Sequence, residues 1–176
     1  MQTYKILSAL LEYPEEELID NLPEIRSIVD QSTSIDDGER AVLRKFLDYL
    51  GSMPLTEAQV NYVNTFDRTA EHSLHLTHHL FGDDDDRNRG PALIDLGEMF
   101  KDYGVKTVTN ELPDYLPLLL EFTSYLDSNE ATVFLSDVHK VLNILAGNLA
   151  KAESPYAPLI SMIESRATLT RLTALT

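Results

Sequence analysis

Three histidines, His72, His75 and His79, stand at i, i+3 and i+7. At about 100° per residue they would share one stripe of a helix, and His75 with His79 has the spacing of a two-histidine metal site. Four consecutive aspartates, Asp83 to Asp86, follow closely, so the stretch holds the donor types of a metal-dependent hydrolase. The same helix must bury Leu74, Leu76, Leu80 and Phe81, and the histidines read equally well as its rim. No HExxH motif occurs, no second histidine cluster completes a ligand shell, and His139 stands alone. The aspartate run lacks the spaced oxygen ligands of a calcium loop and reads as a solvated acidic loop. Arg87 and Arg89 come just before a helix start, where they could grip a carboxylate or phosphate, or relieve repulsion among the aspartates. No GxSxG, Walker loop, GxGxxG or cysteine nucleophile is present, so no catalytic residue is assigned. Neither a metal nor a cofactor is expected.

A second unusual stretch is Glu111-Leu112-Pro113-Asp114-Tyr115-Leu116-Pro117, followed by Leu118 to Phe122. Two prolines near a helix start, with acidic residues on either side, read as a core helix with an irregular entrance. They read also as a bent, acid-rimmed apolar groove able to hold a peptide helix.

The elements that must position these residues are helical throughout. Apolar residues recur at three- and four-residue spacing, and no alternating strand run occurs. Tyr4, Leu7 and Leu11 mark a first helix stopped by Pro14. Pro14 and three glutamates open a second, which carries Leu18, Leu22, Ile25 and Val29 and is split or kinked at Pro23. Val42, Phe46, Leu47 and Leu50 mark a helix from the turn at Asp36-Asp37-Gly38 to Gly51. Thr56 and Gln59 fit a capping box for a helix that buries Val60, Val63 and Phe66. Further helices are expected over 71–81, 91–103 with Gly104 as terminator, 111–126 with a bend at Pro117, 131–150, and from Ser154-Pro155 onward. The expectation is an all-α, single-domain bundle of about eight to ten helices spanning 1–176.

Composition bounds the partners. The 176 residues carry 14 Lys+Arg and 29 Asp+Glu, a formal charge of −15. A pI near 4.5 argues against a nucleic-acid partner and favours a basic or amphipathic one. Cysteine is absent, which excludes disulfides and thiolate-held metals and fits a reducing compartment. No apolar run approaches the ~18 residues of a membrane span, and the N-terminal residues lack a secretion-signal pattern.

Three segments carry a family resemblance. They are Tyr62-Val63-Asn64-Thr65-Phe66-Asp67-Arg68 leading to Ser73-Leu74-His75-Leu76; His79-Leu80-Phe81-Gly82 with Arg87-Asn88-Arg89-Gly90-Pro91 to Asp95-Leu96; and Glu111 to Phe122. With the opening Leu10-Leu11-Glu12-Tyr13-Pro14, the chain resembles the NarJ-type maturation chaperones of respiratory nitrate reductase, within the TorD-like group. The Asp83–Asp86 run lengthens the loop relative to the family pattern, and the acidic tail of many members is not seen before Thr176.

The resemblance implies a cytoplasmic, non-catalytic chaperone of the molybdenum-containing catalytic subunit. It would bind that subunit's N-terminal peptide, support cofactor insertion and delay membrane docking until assembly is complete, without itself inserting stably in the membrane. The partner-binding residues expected are Tyr62, Phe66, Asp67, Leu74, His79, Arg87, Arg89, Asp95, Glu111, Asp114, Tyr115 and Glu121. The groove itself is expected near Tyr62, Phe66, Leu74, Asp114, Tyr115 and Glu121. Arg87 and Arg89 should matter more for peptide binding than the Asp83–Asp86 run before them, because the likeness falls on the arginines. A chaperone of a related dimethyl-sulfoxide or trimethylamine-oxide reductase, and a His/Asp metal-dependent hydrolase, are the competing readings.

Overall fold

Helix boundaries follow from local chemistry that can be named. The computed structural model describes residues 2–81, 87–105 and 111–173, with the side chains of Phe81 and 168–173 left out. The four-aspartate run therefore lies outside the described residues. Helix α1 spans Gln2–Leu11. Glu15 is the N-cap of α2, Glu16–Asp20, whose first turn carries Glu16 and Glu17 at the positive end of the helix. Asn21 separates α2 from α3, Leu22–Gln31, and Pro23 sits in the first turn of α3, where its missing N–H is no loss. Helix α4, Asp37–Gly51, starts with a reciprocal capping box between Asp36 and Glu39.

Helix α5, Leu55–Phe66, starts two residues earlier than the Thr56 signal implies, because Pro54 in an extended conformation is the N-cap. Gln59 consequently does not reach back to a cap; its amide donates to the Pro14 carbonyl at 3.0 Å. The buried stripe of α5 is Ala58, Tyr62 and Phe66, and Val60 is 57% exposed. Of the expected stripe Val60, Val63 and Phe66, Phe66 is buried, Val63 is half-buried and Val60 points out to solvent.

The expected helix over 71–81 is two pieces. A 3-10 turn covers Ala70–His72, residues 73–75 lie outside any helix, and α6 covers Leu76–Phe81. The backbone breaks here because it pairs elsewhere: Leu76 N–H donates to the Asp114 carbonyl at 3.0 Å and Leu116 N–H to the Leu74 carbonyl at 2.8 Å. This His75–Tyr115 antiparallel bridge is isolated, and no strand occurs among the described residues. Helix α7, Arg89–Asp102, ends in a Schellman motif. In it Gly104 N–H bonds to Lys101 O, Val105 N–H bonds to Phe100 O, and Gly104 has φ +72°. Helix α8 is Leu116–Tyr125, shorter than the expected 111–126, and Pro117 lies in its first turn rather than at an internal bend. Helix α9, Ser128–Lys151, begins at a second capping box, Asp127 with Glu130. Helix α10 is Ala157–Thr173.

One continuous apolar cluster joins these elements. Helices α9 and α10 pack along each other, and α1 lies against α8. Tyr156 sits centrally, with ring contacts to Phe46, Tyr49, Tyr62 and Phe66. Arg166 of α10 is tied bidentately to Glu39 of α4, both contacts at 2.6 Å, and donates to the Ser34 carbonyl at 2.8 Å.

The end of α9 repeats the Schellman hydrogen bonds, Glu153 N–H to Ala150 O and Ser154 N–H to Leu149 O. Here the left-handed position is held by Glu153, φ 53°, not by glycine. That conformation costs a residue with a Cβ about 1–2 kcal/mol. Part of the relief on removing the side chain is offset by the greater freedom of glycine in the unfolded chain. Glu153→Gly should therefore raise stability by about 0.5–1 kcal/mol, read as a melting-point increase of roughly 1–4 °C.

Candidate functional site

The signature around residue 114 builds a latch and one wall of a groove. Asp114 has no solvent exposure. A buried carboxylate is tolerated only when its oxygens are hydrogen-bonded, and here both are. Oδ2 accepts from the Thr77 backbone N–H at 3.1 Å and from the Thr77 hydroxyl. Oδ1 lies 3.2 Å from His75 Nδ1; a carboxylate only accepts, so Nδ1 carries the hydrogen. Burial pushes the Asp114 pKa up, but the bonds from His75 and Thr77 prevail and hold it below the ordinary value of 3.8. The Thr77 hydroxyl in turn accepts from Arg89 Nε at 3.0 Å. Residues 73–77, 112–116 and the start of α7 are thereby fixed to one another.

The latch sets the position of Tyr115. Its ring stacks obliquely on His75, centroids 5.3 Å apart, and its hydroxyl meets that of Tyr62 at 2.9 Å. Tyr62 donates onward to the Leu11 carbonyl at 3.0 Å, which uses the Tyr62 proton and makes Tyr115 the donor to Tyr62. Burial first, and then the carboxylates of Glu111, Glu12 and Asp67, push the Tyr115 pKa to about 12, against the hydrogen bond with Tyr62.

Beside Tyr115 opens a groove of about 720 Å³ between α1, α2–α3 and the 111–121 segment. Ala9, Leu18, Ile25, Ile28 and Leu118 give it an apolar lining, joined by the rings of Tyr13 and Tyr115. Its charged residues are Glu12, Glu15, Glu17, Glu24, Glu111 and Glu121, against Lys5. Glu12 is raised in pKa by partial desolvation first and then by the neighbouring carboxylates of Glu121 and Glu15. Negative charge is therefore crowded at that place, and an incoming cation would relieve it.

The expected site residues divide into three groups. Glu111, Tyr115 and Glu121 line the groove. Tyr62, Phe66, Leu74 and Asp114 are 5% exposed or less, so they support the groove from the core rather than forming its surface. Asp67, Arg87 and Asp95 are exposed, and His79 and Arg89 half-buried, outside the groove lining.

The histidines do not share a helical stripe. His72 Nδ1 bonds the Thr65 carbonyl at 3.1 Å, His75 faces Asp114, and His79 Nε2 donates to the Ser73 carbonyl at 2.8 Å. Burial first lowers the His79 pKa, which favours the neutral ring. Among the described residues no three His, Asp or Glu side chains converge as metal ligands. The groove residues of α1 to α3 were not expected. Their signal was available as the outward strip Lys5, Ala9, Glu12 on an otherwise buried first helix.

The family described as nitrate reductase delta subunit matches residues 32–161. The chain belongs to that family. It is 35% identical over 158 residues to the nitrate reductase molybdenum cofactor assembly chaperone NarJ of Escherichia coli strain K12, covering 90% of this chain and 66% of that relative. The chain thus spans slightly less than two thirds of that relative's length. A probable chaperone of the same description, NarW of the same strain, is 31% identical over 93% of this chain and 67% of its own length. The probable NarJ of Bacillus subtilis strain 168 is 29% identical over 92% of this chain and 85% of its own. The family match covers α4 to α9 and the start of α10, including the Asp114 latch, whereas α1, α2 and α3 lie before it. No described helix of this family member is long and apolar enough to cross a membrane.

Proposed function

We propose that the protein is a non-enzymatic, cytoplasmic assembly chaperone for the molybdenum-containing catalytic subunit of a nitrate reductase. The groove holds the N-terminal segment of that subunit as an amphipathic helix. Holding it supports cofactor insertion and delays membrane docking of the unfinished subunit. The observation that carries this reading is the groove: an apolar floor rimmed by six glutamates and one lysine, in a member of this family. Burial of apolar side chains supplies most of the affinity, at about 25 cal/mol per Å² before the cost of ordering the peptide is subtracted. The carboxylate rim selects a basic segment and speeds encounter, an effect that salt screens.

Calorimetric titration with a synthetic peptide of the subunit's N-terminus tests this. Binding should show a negative heat-capacity change. Raising salt from 0.05 to about 0.5 M should weaken it by less than about tenfold, because the desolvated contacts are screened little. Replacing the peptide's apolar positions with Ser should abolish it. Equal binding of the Ser peptide would leave charge attraction alone and contradict the groove reading.

A further inference from the structure

The direction in which the groove reads its occupant is encoded in α1. Thr3, Tyr4, Ile6, Leu7, Ser8, Leu10 and Leu11 are all buried, so the helix and its end offer the groove only Lys5, Ala9 and Glu12. Continued helical spacing places Lys5 and Glu12 on one face, about 10 Å apart along the axis at 1.5 Å per residue. Between them Ala9 presents a single methyl group, which allows another helix to approach closely. Lys5 and Glu12 are exposed, and neither they nor Glu121 has an ion-pair partner among the described residues. The two ends of this strip are unlike. Glu121 and Glu15 act electrostatically on Glu12, whereas Lys5 is the only cation among the described lining residues.

We propose that the order Lys5–Ala9–Glu12 fixes the polarity of the bound helix, with its cationic end over Glu12 and Glu121 and an anionic or neutral end over Lys5. This rests on the groove reading above and adds to it a rule of selection. A suitable helix carries its Lys or Arg about seven residues, two turns, from its carboxylate or uncharged end. It lays a small or flat apolar residue on Ala9. A helix with the opposite order relative to its apolar face places a cation against Lys5 and a carboxylate against Glu12 and Glu121. Reversing the whole helix would restore the charges, but its side chains would then tilt the wrong way against the floor. Like charges brought together in this way act as the repulsive element that specificity requires.

The test uses the full chain and two synthetic amphipathic peptides of identical composition and identical apolar positions, their Lys and Glu residues exchanged end for end. One order should bind about fivefold or more tightly, the size expected of two partly exposed charge pairs. The double variant Lys5→Glu/Glu12→Lys should invert the preference. A nitroxide on the cationic end of the better peptide should broaden backbone amide signals near Glu12 far more than those near Lys5 in wild type. Equal affinity for both orders, or a preference that survives the charge exchange, overturns the inference while leaving the groove intact. Failure of either peptide and of the subunit's own segment to bind overturns the groove reading and this inference together. Thermal melts establish that the variant is folded, and the single variant Glu12→Gln, which should reduce the preference without inverting it, gives a second readout.

Discussion

Asp114→Ala should destabilise the fold by about 3 kcal/mol, the largest effect expected of any single polar residue here. Truncation leaves the buried Thr77 N–H without its acceptor and removes the acceptors of the Thr77 hydroxyl and His75. Hydrogen bonds to a charged group are worth about 1.5–3 kcal/mol, and a buried donor left unpaired costs about 1–3 kcal/mol. Some relaxation and water entry reduce the sum. The melting point should fall by roughly 6–12 °C. Asp114→Asn keeps one acceptor oxygen and should cost about 1 kcal/mol.

The sign of the pH dependence follows from the lowered pKa. The folded state holds Asp114 ionised more strongly than the unfolded chain does. Its stabilisation is therefore full above the ordinary carboxylate range and is lost as pH falls below about 4 through the lowered folded value. Chemical denaturation of wild type and Asp114→Asn should show a constant gap near neutrality that narrows only in acid. A gap that widens on acidification would mean that the buried carboxyl is protonated.

Ala9→Phe should weaken binding of the catalytic subunit's N-terminal peptide by about 100-fold or more. Ala9 lies in the groove lining on the outward strip of α1. A ring there occupies the space required by the incoming helix, while the buried face of α1 is untouched. The melting point should stay within about 2 °C of wild type, because surface substitutions away from special features lie within about 0.5 kcal/mol. Titration calorimetry with parallel melts separates this outcome from unfolding. By contrast, Tyr115→Ala should lower both affinity and stability, since Tyr115 lines the groove and also bonds Tyr62.

The helices most legible in the sequence are those with their own start and stop chemistry. Asp36 and Gly51 bracket α4, and Gly104 marks the end of α7 because only its left-handed φ closes the Schellman turn. Periodicity alone was less secure. In α5 it favoured Val60 over Ala58, because hydrophobicity does not reveal that a small residue is needed where helices press together. The split of 71–81 was hidden for a different reason. What ends the helical pattern is a pairing with residues 112–116, about forty positions away, and no local signal announces a partner that distant.

The site was legible as a signature more than as a surface. Glu111, Tyr115 and Glu121 line the groove, but Tyr62, Phe66, Leu74 and Asp114 are its buried support. Residue type does not distinguish an aromatic that contacts a partner from one that holds the wall behind it. The α3 stripe of Ile25 and Ile28 likewise reads as ordinary core until the packing leaves it half-covered beside α1.

Methyl resonances offer the most direct test of the groove as the peptide's seat. With isotope-labelled Ile and Leu methyl groups in the full chain, titration of the N-terminal peptide should shift Leu18, Ile25, Ile28 and Leu118. The buried Leu43 and Leu142, and the exposed Ile94 and Ile144 on α7 and α9, should stay near their free positions. Shifts centred on Ile94 or Ile144, with Ile25, Ile28 and Leu118 unmoved at saturation, would contradict the account.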